Sequence, residues 1–116
     1  DGVTFHGSLP KRELAQELAT CWAWWYPTWW PETYCIAGLE AQAAGTPCIT
    51  VPVGALTETV HACKPSYALA DTIEHLMYRP TWEGESKRAA TLARRRTWDS
   101  VAEGVMKVVE VLSGAA

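Results

Sequence analysis

Residues 23–52, AWWYPTWWPETYCIAGLEAQAAGTPCITVP, constrain the fold more than any other part of the chain. Two short apolar runs rich in aromatic and β-branched residues flank an alanine-rich segment that ends at Gly45, and two prolines break the chain after the first run. Apolar runs of that length read as strands, and an alanine-rich segment ended by glycine reads as a helix. Strand, loop, helix and strand make a parallel unit that buries its strands under the helix. Its loop lies at the carboxyl end of the first strand, where open α/β sheets hold ligands.

The remainder alternates in the same way. Val3-Thr4-Phe5-His6 is expected as a short strand ended by Gly7, and a helix opens at Ser8 to Pro10 and runs to Thr20. Trp22 to Tyr26 is expected as a strand buried on both faces, with Trp24 and Trp25 in the core. Thr33 is the expected cap of a helix over Tyr34 to Ala44, and Thr46 to Val53 the following strand. Helices are expected at Thr57 to Ala62, Tyr67 to Tyr78 and, beyond Pro80, Gly84 to Arg95. Thr97 then caps a last helix in which Val101, Val105, Val108, Val109 and Leu112 form a stripe. The expected fold is a single α/β domain over residues 1–116, with a small parallel sheet flanked by helices and a helical carboxyl-terminal tail. A start at Asp1 without an initiator Met suits a fragment boundary.

Composition excludes several classes. A formal charge of −3 gives no footprint for nucleic acid, and Arg94-Arg95-Arg96 reads as a solvated helix face. Cys21, Cys35, Cys48 and Cys63 stand 14, 13 and 15 residues apart, without a Cys-x-x-Cys pair or a zinc-like His spacing, so a reduced cytoplasmic protein with no metal site is expected. No apolar run approaches the roughly 20 residues of a membrane span, and the chain is expected to be soluble.

Two glutamates stand out. Laid out at about 100° per residue, the second helix places Glu40 beside Ile36 and near Leu39 and Ala43, on the face expected to meet the core. A carboxylate there needs donors from protein or ligand, and a buried Glu bonded to backbone amides accounts for it equally well. Glu32 lies in the loop before the same helix, whose free amides at Thr33, Tyr34 and Cys35 suit a phosphate. Two acceptors and an anion seat suit a nucleotide sugar, although Glu32 also fits a plain exposed acid near a helix start.

The stretch resembles the donor-binding half of retaining glycosyltransferases of the GT-B type with a Glu-x7-Glu signature, family four and its relatives. The likeness rests on the strand ending in Pro27-Thr28, on Glu32-Thr33-Tyr34-Cys35, on Leu39-Glu40-Ala41-Gln42-Ala43-Ala44-Gly45-Thr46-Pro47 and on Gly54-Ala55-Leu56-Thr57-Glu58, with weaker support from residues 3–7 and Thr97-Trp98-Asp99. It implies a Rossmann-like half of a two-domain enzyme that binds a nucleotide-diphosphate sugar and transfers a hexosyl group. Glu40 would hold the ribose hydroxyls and Glu32, as the catalytic-site carboxylate, the sugar, with amides of Thr33, Tyr34 and Cys35 near sugar and phosphate. Thr28, His6 and Gly7 would line the cleft. The resemblance implies no cofactor and no metal, and the sequence holds no Asp-x-Asp motif. The family's amino-terminal acceptor domain and its cationic clamp on the diphosphate have no counterpart here, so the isolated chain is expected to be inactive. Trp29 and Trp30, beside Glu32, would then meet a sugar, the missing acceptor domain or a second copy of the chain. A noncatalytic interaction module built on that tryptophan surface is the rival reading.

Overall fold

A computed structural model describes residues 2–114. The central unit is β1 (Trp24–Tyr26), α2 (Ile36–Ala43) and β2 (Cys48–Thr50), preceded by α1 (Lys11–Thr20). The strands are parallel, with Trp24 opposite Cys48, Trp25 opposite Ile49 and Tyr26 opposite Thr50. They are the whole sheet among the described residues. Then come α3 (Leu56–Thr59), a 3₁₀ turn at Ser66–Ala68, α4 (Leu69–Met77), α5 (Arg79–Ala93) and α6 (Trp98–Ser113). The chain is thus an α/β fold with a small parallel sheet flanked by helices.

Helix α2 ends where its sequence requires. Gly45 has φ +87°, and the Gly45 and Thr46 amides donate to the carbonyls of Gln42 at 3.0 Å and Ala41 at 3.0 Å. A left-handed residue just past the helix lets both amides reach back to otherwise unpaired carbonyls, and glycine adopts that conformation without strain. Gly38, Leu39, Ala41 and Gln42 are its buried residues. Ala41, Cys48, Leu56 and Val60 form one core cluster, and Ile49, Val51, Leu69 and Leu76 a second. Leu56 is fully buried, a contribution of about 2 kcal/mol from its side chain alone.

Tryptophan knits α4 and α5 to the segment before β1. The Trp22 and Trp82 rings stack with centroids 5.0 Å apart. Trp22 Nε1 donates to the Leu76 carbonyl at 3.1 Å, and Trp82 Nε1 donates to the Trp22 carbonyl at 2.6 Å. Each indole thus stacks on the other and satisfies its one donor.

Several boundaries differ from expectation. Residues 3–6 form no strand, and Val3 and Phe5 are 92% and 94% exposed. A strand persists only when its amides find a neighbour, and among the described residues this run pairs with none. The first sheet strand is three residues long, and Trp25 is 47% exposed rather than core. Successive strand residues face opposite sides, and Trp24 and Tyr26 take the side that packs on the core cluster, which turns Trp25 the other way. The second strand is also shorter than expected but fully buried. Pro80 does not precede α5 but stands in its first turn, where a missing amide hydrogen costs nothing.

The tail helix is capped as expected, with a reciprocal bond pair between Thr97 and Ser100. None of its residues is buried, so the valine stripe faces outward. Arg96 Nη2 fixes the turn before it through the Glu58 carbonyl at 2.9 Å. No helix among the described residues is long and apolar enough to cross a membrane.

Candidate functional site

Glu32 is held at the carboxyl end of β1 by contacts to both its main chain and its side chain. Gly54, in the turn after β2, has φ +56°, and a Cβ there would lie 2.6 Å from the Glu32 carbonyl oxygen and 2.8 Å from its nitrogen. The next residue, Ala55, donates its amide to that same carbonyl at 2.8 Å. Only glycine permits this approach of one backbone to another. The Glu32 side chain accepts from the Tyr26 hydroxyl, Oη to Oε1 2.5 Å. Tyr26 ends β1 and packs its ring against Trp24, centroids 5.0 Å apart.

The hydrogen bond to Glu32 is the main reason the Tyr26 phenol is pushed above its ordinary range, while the Thr28 side chain beside it pulls the other way. Thr28 Oγ1 also accepts the Trp30 amide at 3.0 Å, which shapes the loop between Tyr26 and Glu32. Trp29 and Trp30 in that loop are 88% and 66% exposed.

Helix α2 starts later than its sequence suggests. The N-cap is Cys35 with φ 57°, not Thr33, and the first helical residue is Ile36. Thr33 and Tyr34 form an exposed bend, so the amides free at the helix start belong to Cys35, Ile36 and Ala37, while that of Gly38 faces the Cys35 sulfur. The capping signal at Thr33 is overridden because the chain, pinned at Glu32, turns into the helix through a left-handed residue. Burial pushes the Cys35 thiol up, the Gly38 amide works against that, and the Glu32 charge adds to it. Cys48 is pushed up to about 12 by burial and packs as a small apolar group. All four cysteines are free.

Glu40 does not point into the core. Its side chain is 34% exposed, and Oε1 lies 3.1 Å from Lys11 Nζ. Ile36, expected beside it in the core, is 53% exposed. The buried face is set instead by Gly38, which has no side chain, and Ala41, which has a small one, so that neighbouring elements approach closely, and it carries Gln42. Gln42 Nε2 donates to the Gly38 carbonyl at 3.0 Å and the Thr59 carbonyl at 2.8 Å, and Oε1 accepts the His61 amide at 2.8 Å. Gln42 thus ties α2 to α3 and the turn beyond.

The structure therefore brings together Thr28, Glu32 and Cys35 with Tyr26, Gly54 and Ala55, to which the sequence reading assigned no site role. Gly54 carried a usable signal, a glycine just after a buried strand facing the loop of the neighbouring one. His6 and Gly7 are exposed on the unpaired segment, and nothing stands within 4 Å of a Cβ placed on Gly7. Elsewhere, a concavity of about 280 Å³ opens among β2, α4 and α5 and contains none of these residues. In its wall His61 Nε2 lies 3.1 Å from Glu85 Oε2. No group of three or more His, Cys, Asp or Glu side chains that could hold a metal is gathered among the described residues.

The profile described as "Glycosyl transferases group 1" matches residues 1–80, more than half of the chain, and spans every element of this site. The chain belongs to that family. A D-inositol 3-phosphate glycosyltransferase of Frankia alni (strain DSM 45986 / CECT 9034 / ACN14a) is 31% identical over 118 aligned residues, which take in 92% of this chain. The chain spans 28% of that relative's length. No solved structure matches. Membership in the glycosyl transferases group 1 family places this α/β unit within the GT-B type. The clasped Glu32 lies within the matched residues, in the loop that follows β1.

Proposed function

We propose that this chain is the donor-binding part of a retaining glycosyltransferase and holds a nucleoside-diphosphate hexose at the carboxyl end of β1. The observation that carries this is the double restraint on Glu32 at the position where parallel sheets bind ligands. Glu32 accepts from the donor sugar. The amides at the start of α2, from Cys35 to Ala37, take diphosphate oxygens, aided by the helix dipole. Thr28 borders the same loop. Glu40 accepts from the ribose hydroxyls and exchanges its exposed Lys11 partner for them.

The acceptor attacks from the face the diphosphate leaves, and the departing diphosphate takes the acceptor proton, so neither glutamate acts as a base. The acceptor site and the countercharge for the diphosphate come from polypeptide outside these residues, in keeping with the 28% of the relative that the chain spans.

Titration calorimetry with uridine and guanosine diphosphate hexoses tests this. Saturable binding is expected, and a folded sample that gives no heat with either overturns it. Glu40→Ala is expected to weaken nucleotide binding about tenfold, the effect of removing a charged hydrogen-bond acceptor. Stability should change by at most about 1 kcal/mol, because the Lys11 pair is exposed and screened.

A further inference from the structure

A glutamate in a surface loop turns about several bonds, whereas recognition of one sugar hydroxyl needs its acceptor oxygen held to within about 0.5 Å. The main-chain clasp at Gly54 and Ala55 fixes where Glu32 starts, and the hydroxyl of Tyr26 fixes where its carboxylate ends. Tyr26 is itself held. It is the last residue of β1, opposite Thr50, and its carbonyl accepts from Thr50 Oγ1 at 2.6 Å. Thr50 is fully buried, so this anchor does not shift with solvent. The Tyr26 ring leans on Trp24. Among the described residues only Oε1 of Glu32 is engaged, which leaves Oε2 to meet a ligand.

We propose that Tyr26 is a positioning residue for the donor sugar. By holding Oε1 of Glu32 it presents Oε2 to one sugar hydroxyl, and so governs affinity for the hexosyl part of the donor but not for the nucleotide. The inference rests on the reading of Glu32 as the group that faces the sugar. Because its phenol lies above the ordinary range, Tyr26 stays a protonated donor through neutral pH.

Tyr26→Phe removes only the hydroxyl and keeps the ring on Trp24. Calorimetry compares nucleoside-diphosphate hexoses with the bare diphosphates on wild type, Tyr26→Phe, Glu32→Gln and the double variant. Tyr26→Phe is expected to weaken the hexose donor about tenfold and the bare diphosphate by less than about twofold, since one oriented charged bond is lost. In the double variant the loss should be no greater than in Glu32→Gln alone, because the hydroxyl acts through that carboxylate.

An unchanged donor affinity, equal losses on both ligands, or additive losses overturn the positioning role while wild-type binding keeps the donor site standing. A wild type that binds neither ligand overturns the donor-site reading and this inference with it. Carbon-13 ring signals of labelled tyrosine give a check free of ligand, with Tyr26→Phe assigning the resonance. The Tyr26 phenol is expected to titrate lower in Glu32→Gln than in wild type, and an unmoved titration overturns the contact itself.

Discussion

Gly54→Ala is expected to cost about 3 kcal/mol of stability and to abolish whatever ligand binding depends on Glu32. The added Cβ would stand 2.6 Å from the Glu32 carbonyl oxygen, 2.8 Å from its nitrogen and 2.9 Å from the Pro31 carbonyl carbon. All three are backbone atoms, so no side chain can swing aside. The left-handed φ of +56° adds about 1–2 kcal/mol of its own for any residue with a Cβ. Relief requires the Glu32 loop to lift, which breaks the Ala55 amide bond and carries the carboxylate away from Tyr26.

Urea unfolding followed by tryptophan fluorescence measures the cost, with a midpoint drop of roughly 10–20 °C in a parallel thermal melt. Gly104→Ala is the control. Gly104 lies inside α6, and nothing stands within 4 Å of an added Cβ. There the same change should stabilise the helix by about 1 kcal/mol. Equal effects at the two positions would dismiss the clasp.

Gln42→Ala is the second large loss, about 3–5 kcal/mol. The side chain is fully buried and satisfies two carbonyls and one amide. Alanine leaves a cavity and strips the Thr59 carbonyl and His61 amide of their partner at once. Gln42→Glu separates the two effects, because it keeps the volume but turns the donor toward two carbonyls into an acceptor. That carboxyl would be buried and faced by carbonyl oxygens, so its pKa in the folded chain rises above the ordinary value of about 4.3.

A group raised on folding contributes stability that is present at low pH and lost as pH climbs through the folded-state value. Gln42→Glu should therefore approach wild type below about pH 4 and fall away toward neutrality, while Gln42→Ala stays low throughout. Parallel pH profiles for the two variants would contradict the assigned hydrogen bonds.

The fate of Glu40 and Gln42 shows where the sequence stops informing. Periodicity located the helix and its glycine end, since both depend on neighbours along the chain. Which side of the helix faces inward depended on how closely other elements approach, and Gly38 and Ala41 invite that approach more than Ile36 does. The apolar count favoured Ile36, so the inward face was placed one step around the helix. Glu40 thereby came out to meet Lys11, and Gln42 went in.

Residues 3–6 failed for a related reason, because alternation describes a strand's faces and says nothing about whether a partner lies alongside. The strand-loop-helix-strand order and the place of the Glu32 loop within it were legible, because prolines and a glycine punctuate them locally. The hold on that loop was not, because it joins residues on two different strands and their turns.

The bond from the Ala55 amide to the Glu32 carbonyl also gives the site a clock. That proton exchanges with solvent only when the two turns separate. Its lifetime in deuterated water thus counts how often the carboxylate loses its footing while the helices remain folded. The rate can be read without substrate, acceptor or any second domain. It ties the readiness of the site to the opening free energy of one hydrogen bond, a quantity that can differ widely from the stability of the chain as a whole.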